Sequence, residues 1–125
     1  MIIGVGLDIV PISRIAGLLA RYGARAEERL FSPDERAYCR ARGLPAQHYA
    51  ARFAAKEALL KALGAPPGLG WREIEVRAAS NGAPELSLSG AAAEAARRRG
   101  VVTQHLSLTH AGDVAAAVVV LESRP

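Results

Sequence analysis

The chain has 125 residues, 50% of them apolar, which is enough for one folded domain spanning residues 1–125 around its own core. A single cysteine, Cys39, excludes an internal disulfide, and no apolar run approaches the roughly 20 residues of a bilayer span, so we expect a cytoplasmic protein without a membrane segment. The net charge of +4 favours an anionic partner such as a nucleic acid, a phosphorylated cofactor or an acidic protein.

The chain opens with an apolar stretch over residues 2–10 whose alternation predicts a β-strand. One face of the strand carries four aliphatic side chains: Ile3, Val5, Leu7 and Ile9. The other face carries Gly4, Gly6 and Asp8, and we expect open space beside the carboxylate because glycine has no side chain to fill it. Aspartate is depleted in strands, which marks Asp8 as a candidate functional group. The alternative is a strand-end aspartate that caps the helix beginning near Pro11.

Two helices are predicted next. The first covers residues 11–22 and ends at Gly23. The second begins at a capping box, with Ser32 as the N-cap and Glu35 three residues later, and it runs to about residue 42. We assign Glu35 mainly to this structural role.

The strongest helix prediction covers residues 45–63, which are rich in alanine and are followed by a glycine. Glu57 lies on the same stripe of this helix as Phe53 and Leu60, where a carboxylate is out of place if the stripe faces the core. The alternative is a surface ion pair between Glu57 and Lys61, which are one helical turn apart.

Carboxylates and lysines at these positions suit a site for a metal and a phosphate group. Mg²⁺ usually takes one or two carboxylates together with substrate phosphate oxygens, and lysine offsets the remaining phosphate charge. Asp8, Glu57 and Lys61 form the candidate set, and Lys56 on the other side of Glu57 is a second cation. An ordinary charged helix face is the alternative for the two lysines.

The rest of the chain predicts strands and one short helix. In chain order these are a hairpin of residues 73–79 and 85–89 turning at 80–83, a helix within 90–100, and strands at 102–109 and 114–122. Strands and helices mix without a regular βαβ pattern, which favours an α+β fold with a mainly antiparallel sheet. The last strand is apolar on both faces, and burial between subunits and burial under the chain's own helices both remain open.

Histidine is the last chemical candidate. His110 falls in the inward register of its strand with Leu106 and Leu108, whereas His48 and His105 are expected to face solvent. An inward histidine at a strand end is more often structural than catalytic. The sequence has no dinucleotide fingerprint, P-loop or serine-hydrolase motif, and its 5% aromatic content argues against nucleic-acid binding.

Four segments of the chain together resemble one known family. They are Gly4-Val5-Gly6-Leu7-Asp8-Ile9 with Ile12 and Arg14-Ile15; Phe31-Ser32-Pro33-Asp34-Glu35; Arg52-Phe53-Ala54-Ala55-Lys56-Glu57-Ala58 with Lys61-Ala62 and Gly64; and Leu106-Ser107-Leu108-Thr109-His110. The chain is similar to the bacterial holo-acyl-carrier-protein synthases of the phosphopantetheinyl transferase superfamily. The matches follow the family's order over nearly the whole chain, and the third segment joined to Asp8 is the most specific.

The resemblance implies an enzyme that transfers 4'-phosphopantetheine from coenzyme A to a serine of apo acyl carrier protein, releasing 3',5'-ADP, for fatty acid biosynthesis. It also implies the phosphopantetheinyl transferase fold, a homotrimer with active sites between subunits, and dependence on Mg²⁺. The implied metal ligands are Asp8 and Glu57, which form the implied catalytic set together with Lys61. The implied coenzyme contacts are Lys61, Gly64, Pro84 and His110, and the implied carrier-protein contacts are Arg14, Arg21 and Arg25.

Two rival functions remain open for the sequence alone. A non-catalytic module on the same fold would bind the carrier protein or coenzyme A without releasing 3',5'-ADP. A small basic nucleic-acid-binding domain would bind DNA or RNA with a steep salt dependence and without a Mg²⁺ requirement.

Overall fold

Five strands, five α-helices and one 3₁₀ helix (Trp71–Glu73) make up the computed structural model, which describes residues 1–125. The strands are β1 (Ile2–Pro11), β2 (Ile74–Ala78), β3 (Pro84–Leu88), β4 (Thr103–Ala111) and β5 (Val114–Glu122). The helices are α1 (Ile12–Tyr22), α2 (Ala24–Leu30), α3 (Pro33–Arg40), α4 (Pro45–Ala62) and α5 (Gly90–Arg98). The predicted α+β class is confirmed, and the sequence pattern did not predict α2 or the 3₁₀ helix. No helix has both the length and the apolar character needed to cross a membrane.

The main sheet has three antiparallel strands in the order β1-β5-β4, and β2 pairs with β3 in a separate antiparallel hairpin. The hairpin turns at residues 80–83 as predicted, where Gly82 has a positive φ of 85° and the Ala83 N–H donates to the Asn81 side chain at 3.0 Å. Helix α4 packs against the main sheet and contributes more residues to the buried core than any other element. The helix that carries Glu57 therefore rests on the sheet that contains Asp8.

The glycine face of β1 is filled, and the expectation of open space beside Asp8 is wrong. A Cβ atom on Gly4 would overlap the carbonyl oxygen of Ala62, and one on Gly6 would overlap the carbonyl oxygen of Ala58. Both of these alanines belong to α4, so the glycines allow the helix backbone to lie directly on the strand. This close approach is what brings the last turns of α4 to Asp8.

The other face of the main sheet is apolar and largely uncovered by the chain's own helices. The residues Val5, Leu7 and Ile9 are 59%, 58% and 61% exposed. Their partners on β5 are Val120, Val118 and Ala116, which are half-buried, while Ala115, Ala117, Val119 and Leu121 on the opposite face are buried. The chain's own helices therefore cover only one of the two apolar faces of β5.

The capping box at the start of α3 is confirmed, and it is part of a larger buried network. The Ser32 N–H donates to Glu35 Oε1 at 2.9 Å, and the Glu35 N–H donates to the Ser32 hydroxyl at 3.2 Å. Glu35 also accepts the ammonium of Lys56 at 2.8 Å and the N–H of Val76 at 3.0 Å. Lys56 is fully buried, so the interpretation of this lysine as a second cation of the phosphate site is wrong.

Candidate active site

Strand β1 and helix α4 bring three of the predicted site residues together. Lys61 donates from Nζ to Asp8 Oδ1 at 3.0 Å and to the Leu7 carbonyl oxygen at 3.0 Å. Glu57, one turn before Lys61, lies close enough to Asp8 for their charges to interact. The first N–H groups of helix α1 donate to Asp113, so Asp8 does not serve as the helix cap that was its alternative interpretation. The ion pair that forms is Lys61–Asp8, in place of the surface pair between Glu57 and Lys61.

The two carboxylates form a pair whose charges repel. Burial raises the pKa of the Glu57 carboxyl above its usual value and the Asp8 charge raises it further, whereas Lys61 and Arg14 oppose the rise. A divalent cation would relieve this repulsion. Mg²⁺ is usually bound through one or two carboxylates, waters and substrate phosphates rather than by an all-protein cage. The chemistry of this donor pair therefore fits Mg²⁺.

Gly64 lies at the same end of α4 as Lys61. It follows the helix with a positive φ of 81°, which glycine adopts without steric cost. Its neighbour is Arg99, whose guanidinium donates to the Leu63 carbonyl oxygen at 2.7 Å and so satisfies one of the carbonyls left free at the helix end.

The other predicted coenzyme contacts, Pro84 and His110, lie together in a separate cleft of about 170 Å³. The aromatic and cationic side chains in its wall are Tyr38, His48, Arg52, Arg77 and His110. No carboxylate lines the cleft. A concave surface with this composition suits a phosphorylated ligand.

Arg52 is the most informative residue of this cleft, and sequence reasoning did not assign it a role. It is 5% exposed, its Nε has no hydrogen-bond partner, and it forms no ion pair. Its guanidinium lies 3.9 Å from the centre of the Tyr38 ring, and Arg42 lies 3.5 Å from the same centre. Because a buried charge normally has a partner, an unpaired guanidinium in a cleft indicates an anionic ligand. The only sequence signal was an arginine within an otherwise apolar helical run.

The histidine predictions are partly wrong. His48 lies in the cleft wall rather than facing solvent, and burial lowers its pKa, with Arg52 and Arg42 adding to the effect. His110 is exposed at the rim, where its Nε2 lies 3.0 Å from the side-chain nitrogen of Gln47. His105 faces solvent as predicted and contacts Glu122.

The carboxylate pair and the cleft lie on opposite sides of α4. His48 and Arg52 are one turn apart on one stripe of the helix, and Glu57 and Lys61 are one turn apart on another. With about 3.6 residues per turn, the two stripes lie roughly opposite each other on the helix circumference. The predicted metal ligands and the predicted cleft contacts are therefore not brought into one site by a single chain.

The three predicted carrier-protein contacts are exposed on the first two helices. Arg14 and Arg21 are on α1, and the guanidinium of Arg21 lies 5.3 Å from the ring centre of Tyr22. Arg25 borders a groove of about 430 Å³ between α1 and α2. The remaining lining of the groove is Leu18, Tyr22, Ala26, Arg29 and Leu30. An apolar floor with arginines at its edge suits an acidic amphipathic partner.

A family model described as the 4'-phosphopantetheinyl transferase superfamily matches residues 4–119 of this chain. The chain belongs to this superfamily. The resemblance drawn from the four sequence segments is thus confirmed. A holo-[acyl-carrier-protein] synthase of Anaeromyxobacter dehalogenans is 56% identical over 125 residues, covering 98% of this chain and 97% of the relative. A holo-[acyl-carrier-protein] synthase of Myxococcus xanthus is 54% identical over 124 residues, covering 97% of this chain and 95% of the relative.

Solved structures of superfamily members have the same fold. The crystal structure of a holo-[acyl-carrier-protein] synthase from Neisseria meningitidis aligns with a TM-score of 0.90 at 33% identity, covering 98% of this chain and 100% of that one. The Helicobacter pylori enzyme in complex with coenzyme A aligns with a TM-score of 0.82 at 32% identity, covering 94% of this chain and 99% of that one. A relative with this fold therefore binds coenzyme A.

Proposed function

We propose that this chain is a Mg²⁺-dependent holo-[acyl-carrier-protein] synthase. It transfers 4'-phosphopantetheine from coenzyme A to a serine of apo acyl carrier protein and releases 3',5'-ADP, acting in the cytoplasm in fatty acid biosynthesis. The observation that carries the proposal is the cluster of Asp8, Glu57 and Lys61, placed by β1 and α4 in a member of the transferase superfamily. A non-catalytic binding module would not require two carboxylates with repelling charges beside an exposed lysine.

Asp8 and Glu57 would hold the Mg²⁺ ion. When bound, the ion supplies positive charge that neutralises the pyrophosphate of coenzyme A and the charge that develops on the leaving group. Lys61 supplies a second positive charge. Its side chain is 53% exposed, so its ammonium can exchange Asp8 for a phosphate oxygen without a change in fold.

The transfer itself needs positioning more than covalent help. The serine oxygen forms a bond to the pantetheine-side phosphorus, the bond from that phosphorus to the bridging pyrophosphate oxygen breaks, and 3',5'-ADP leaves. Glu57 is our candidate for accepting the serine proton, because it is the carboxylate of the pair that forms no ion pair with Lys61.

The complete active site forms, in this proposal, between two copies of the chain. One copy contributes Asp8, Glu57 and Lys61, and the neighbouring copy contributes the cleft with Arg52 and His110. Two observations support this arrangement: the two sets lie on opposite sides of α4, and the sheet face around Leu7 is apolar and exposed. A second copy of the chain is the occupant we assign to that face, and the homotrimer implied by the family resemblance would cover it in all copies.

The carrier protein would dock on α1 and α2. Acyl carrier protein supplies an acidic surface, which complements the exposed Arg14, Arg21 and Arg25. Arg14 is also close enough to Glu57 to influence its pKa, so this end of α1 adjoins the carboxylate pair. A partner seated on α1 would thus present its serine near the reacting phosphorus.

The activity is tested by incubating the protein with coenzyme A, Mg²⁺ and apo carrier protein, followed by intact mass measurement of the carrier. We expect a gain of one phosphopantetheine group and release of 3',5'-ADP. Asp8→Ala should fold normally and reduce kcat/KM by about 100-fold or more, by analogy with the loss of other transition-state charge stabilisers. No mass gain with the wild-type protein rejects the function, and full activity of Asp8→Ala in chelator rejects the metal assignment.

The shared site is tested by mixing two inactive variants. Asp8→Ala removes only the carboxylate half, and Arg52→Ala removes only the cleft half. Unfolding and reassembling the two together should restore activity at about a quarter of the sites if the halves come from neighbouring copies at random. Asp8→Ala mixed with Glu57→Ala is the matched control and should remain inactive, because both changes lie in the same half. Failure of the first mixture to regain activity rejects the shared site.

A further inference from the structure

No residue of α1 or of its N-cap position caps the first turn of this helix. Its N-cap position is Pro11, whose side chain cannot accept a hydrogen bond, and no acidic residue occupies the first turn. The first N–H groups of a helix have no partner within the helix, and an N-terminal helix end favours negative charge. The start of α1 therefore needs a partner from elsewhere in the fold.

Asp113 supplies that partner from a position 100 residues further along the chain. Its carbonyl oxygen accepts the Ile12 N–H at 2.8 Å. Its carboxylate accepts the Ser13 N–H at Oδ1 at 2.9 Å and the Ser13 hydroxyl at Oδ2 at 2.6 Å. The aspartate stands in the short turn between β4 and β5, next to Gly112, whose φ of 57° lets the chain reverse there.

We propose that Asp113 is a positioning residue for the helix on which the acyl carrier protein docks. This inference rests on the proposed function and adds a residue that touches neither coenzyme nor metal ligands. Ser13, which Asp113 holds by two hydrogen bonds, is directly followed by Arg14, the proposed carrier contact nearest to the carboxylate pair. Fixing the first turn of α1 fixes the direction in which this arginine and the groove beyond it face.

The same turn also connects α1 to the main sheet. The β4 strand that leads into the turn carries His110, three residues before Asp113. The Asp113 carboxylate ties α1 to the β4–β5 turn, but it bonds only to Ser13 and does not line the cleft. The position of the carrier protein is in this way set relative to the sheet rather than by α1 alone.

The test measures KM separately for apo carrier protein and for coenzyme A. Asp113→Ala should raise KM for the carrier protein by about fivefold and leave KM for coenzyme A unchanged. A change of about fivefold is expected because the loss of a helix cap lowers the population of chains with a formed first turn by about that factor. It should also increase hydrogen exchange at the amides of Ser13 and Arg14. Asp113→Asn keeps an acceptor for the Ser13 N–H and should restore most of the affinity for the carrier protein.

Asp34→Ala is the matched control, because it removes an exposed acidic residue from the first turn of α3, a helix with no proposed contact to the carrier protein. This variant should change neither KM. An active Asp113→Ala variant with an unchanged KM for the carrier protein, or with equal increases in both KM values, overturns the positioning role. Absence of transfer by the wild-type protein instead overturns the proposed function, so the two failures are distinguishable.

Discussion

Two lysines on the same helix, Lys56 and Lys61, have nearly the same bond to a carboxylate and opposite surroundings. Lys56 Nζ lies 2.8 Å from Glu35 and Lys61 Nζ lies 3.0 Å from Asp8. In the first pair both side chains are 0% exposed, whereas in the second the lysine is 53% and the aspartate 15% exposed. The distance between the two charged atoms therefore does not reveal the role of an ion pair, whereas the exposure of its side chains to solvent does.

The hydrogen-bond count of each ammonium explains the difference. Lys56 donates to Glu35 and to the carbonyl oxygens of Trp71 at 2.9 Å and Ile74 at 2.5 Å. An ammonium has three N–H donors, so Lys56 has none left for a substrate. Lys61 donates to Asp8 and to one carbonyl oxygen, which leaves a donor free for a phosphate oxygen. Lys56 holds α4 in the fold, and Lys61 is available for chemistry.

The largest expected effect is on stability, from Lys56→Met. Removing one partner of a buried ion pair leaves the other charge uncompensated, so the free energy of unfolding should fall by about 3–5 kcal/mol. Urea denaturation followed by circular dichroism measures this. The double variant Lys56→Met with Glu35→Gln should recover part of the loss because no charge remains buried. A loss below about 1 kcal/mol for Lys56→Met would show that water reaches the pair and that the contrast between the lysines is false.

Lys61→Met should show the reverse pattern. An exposed ion pair contributes about 0–1 kcal/mol, so the unfolding free energy should change little. The same change should reduce kcat/KM for transfer by about 100-fold, since a charge that faces the phosphates is lost. Steady-state kinetics and urea denaturation of the same preparation separate the two effects. Near wild-type kcat/KM in a folded Lys61→Met variant would remove this lysine from the site.

The sequence predicted the strands, most of the helices and the Asp8–Glu57–Lys61 set, because these depend on local patterns and on family motifs. It could not separate Lys56 from Lys61, since both are lysines on one helix and only the packing of α3 and β2 buries the first. It also missed Arg52 and the environment of His48, because the cleft is formed by segments distant in sequence. The prediction of open space on the glycine face of β1 was wrong for the same reason, since only the fold shows which helix covers a strand.

Salt should distinguish the two pairs more finely. At about 1 M salt the Debye length is near 3 Å, so exposed charges are screened while buried pairs are affected much less. The stability loss of Lys56→Met should therefore be nearly the same at low and high NaCl concentration. The small stability change of Lys61→Met should shrink toward zero at high concentration. A Lys56→Met effect that falls by half or more over this range would contradict the buried character of its pair.

The smallest expected effect concerns Glu57, between the two lysines in sequence. Its pKa is raised from the ordinary value of 4.5, so the folded state binds the proton more tightly than the unfolded state does. The stability that this proton contributes is present below pH 4.5 and is lost as the pH rises through the raised pKa. In a chelator at pH 7, Glu57→Gln should therefore raise the thermal midpoint slightly, by less than about 3 °C, and the difference should vanish below pH 4.5. Glu85→Gln, at an exposed carboxylate of β3, is the control and should shift the midpoint at neither pH.

Adding Mg²⁺ should then stabilise the wild-type protein more than the Glu57→Gln variant, because a ligand that binds only the folded state raises its midpoint. A lower midpoint for Glu57→Gln at pH 7 in chelator would mean that Lys61 and Arg14 outweigh the Asp8 repulsion, and the carboxylate pair would then have no need of a cation.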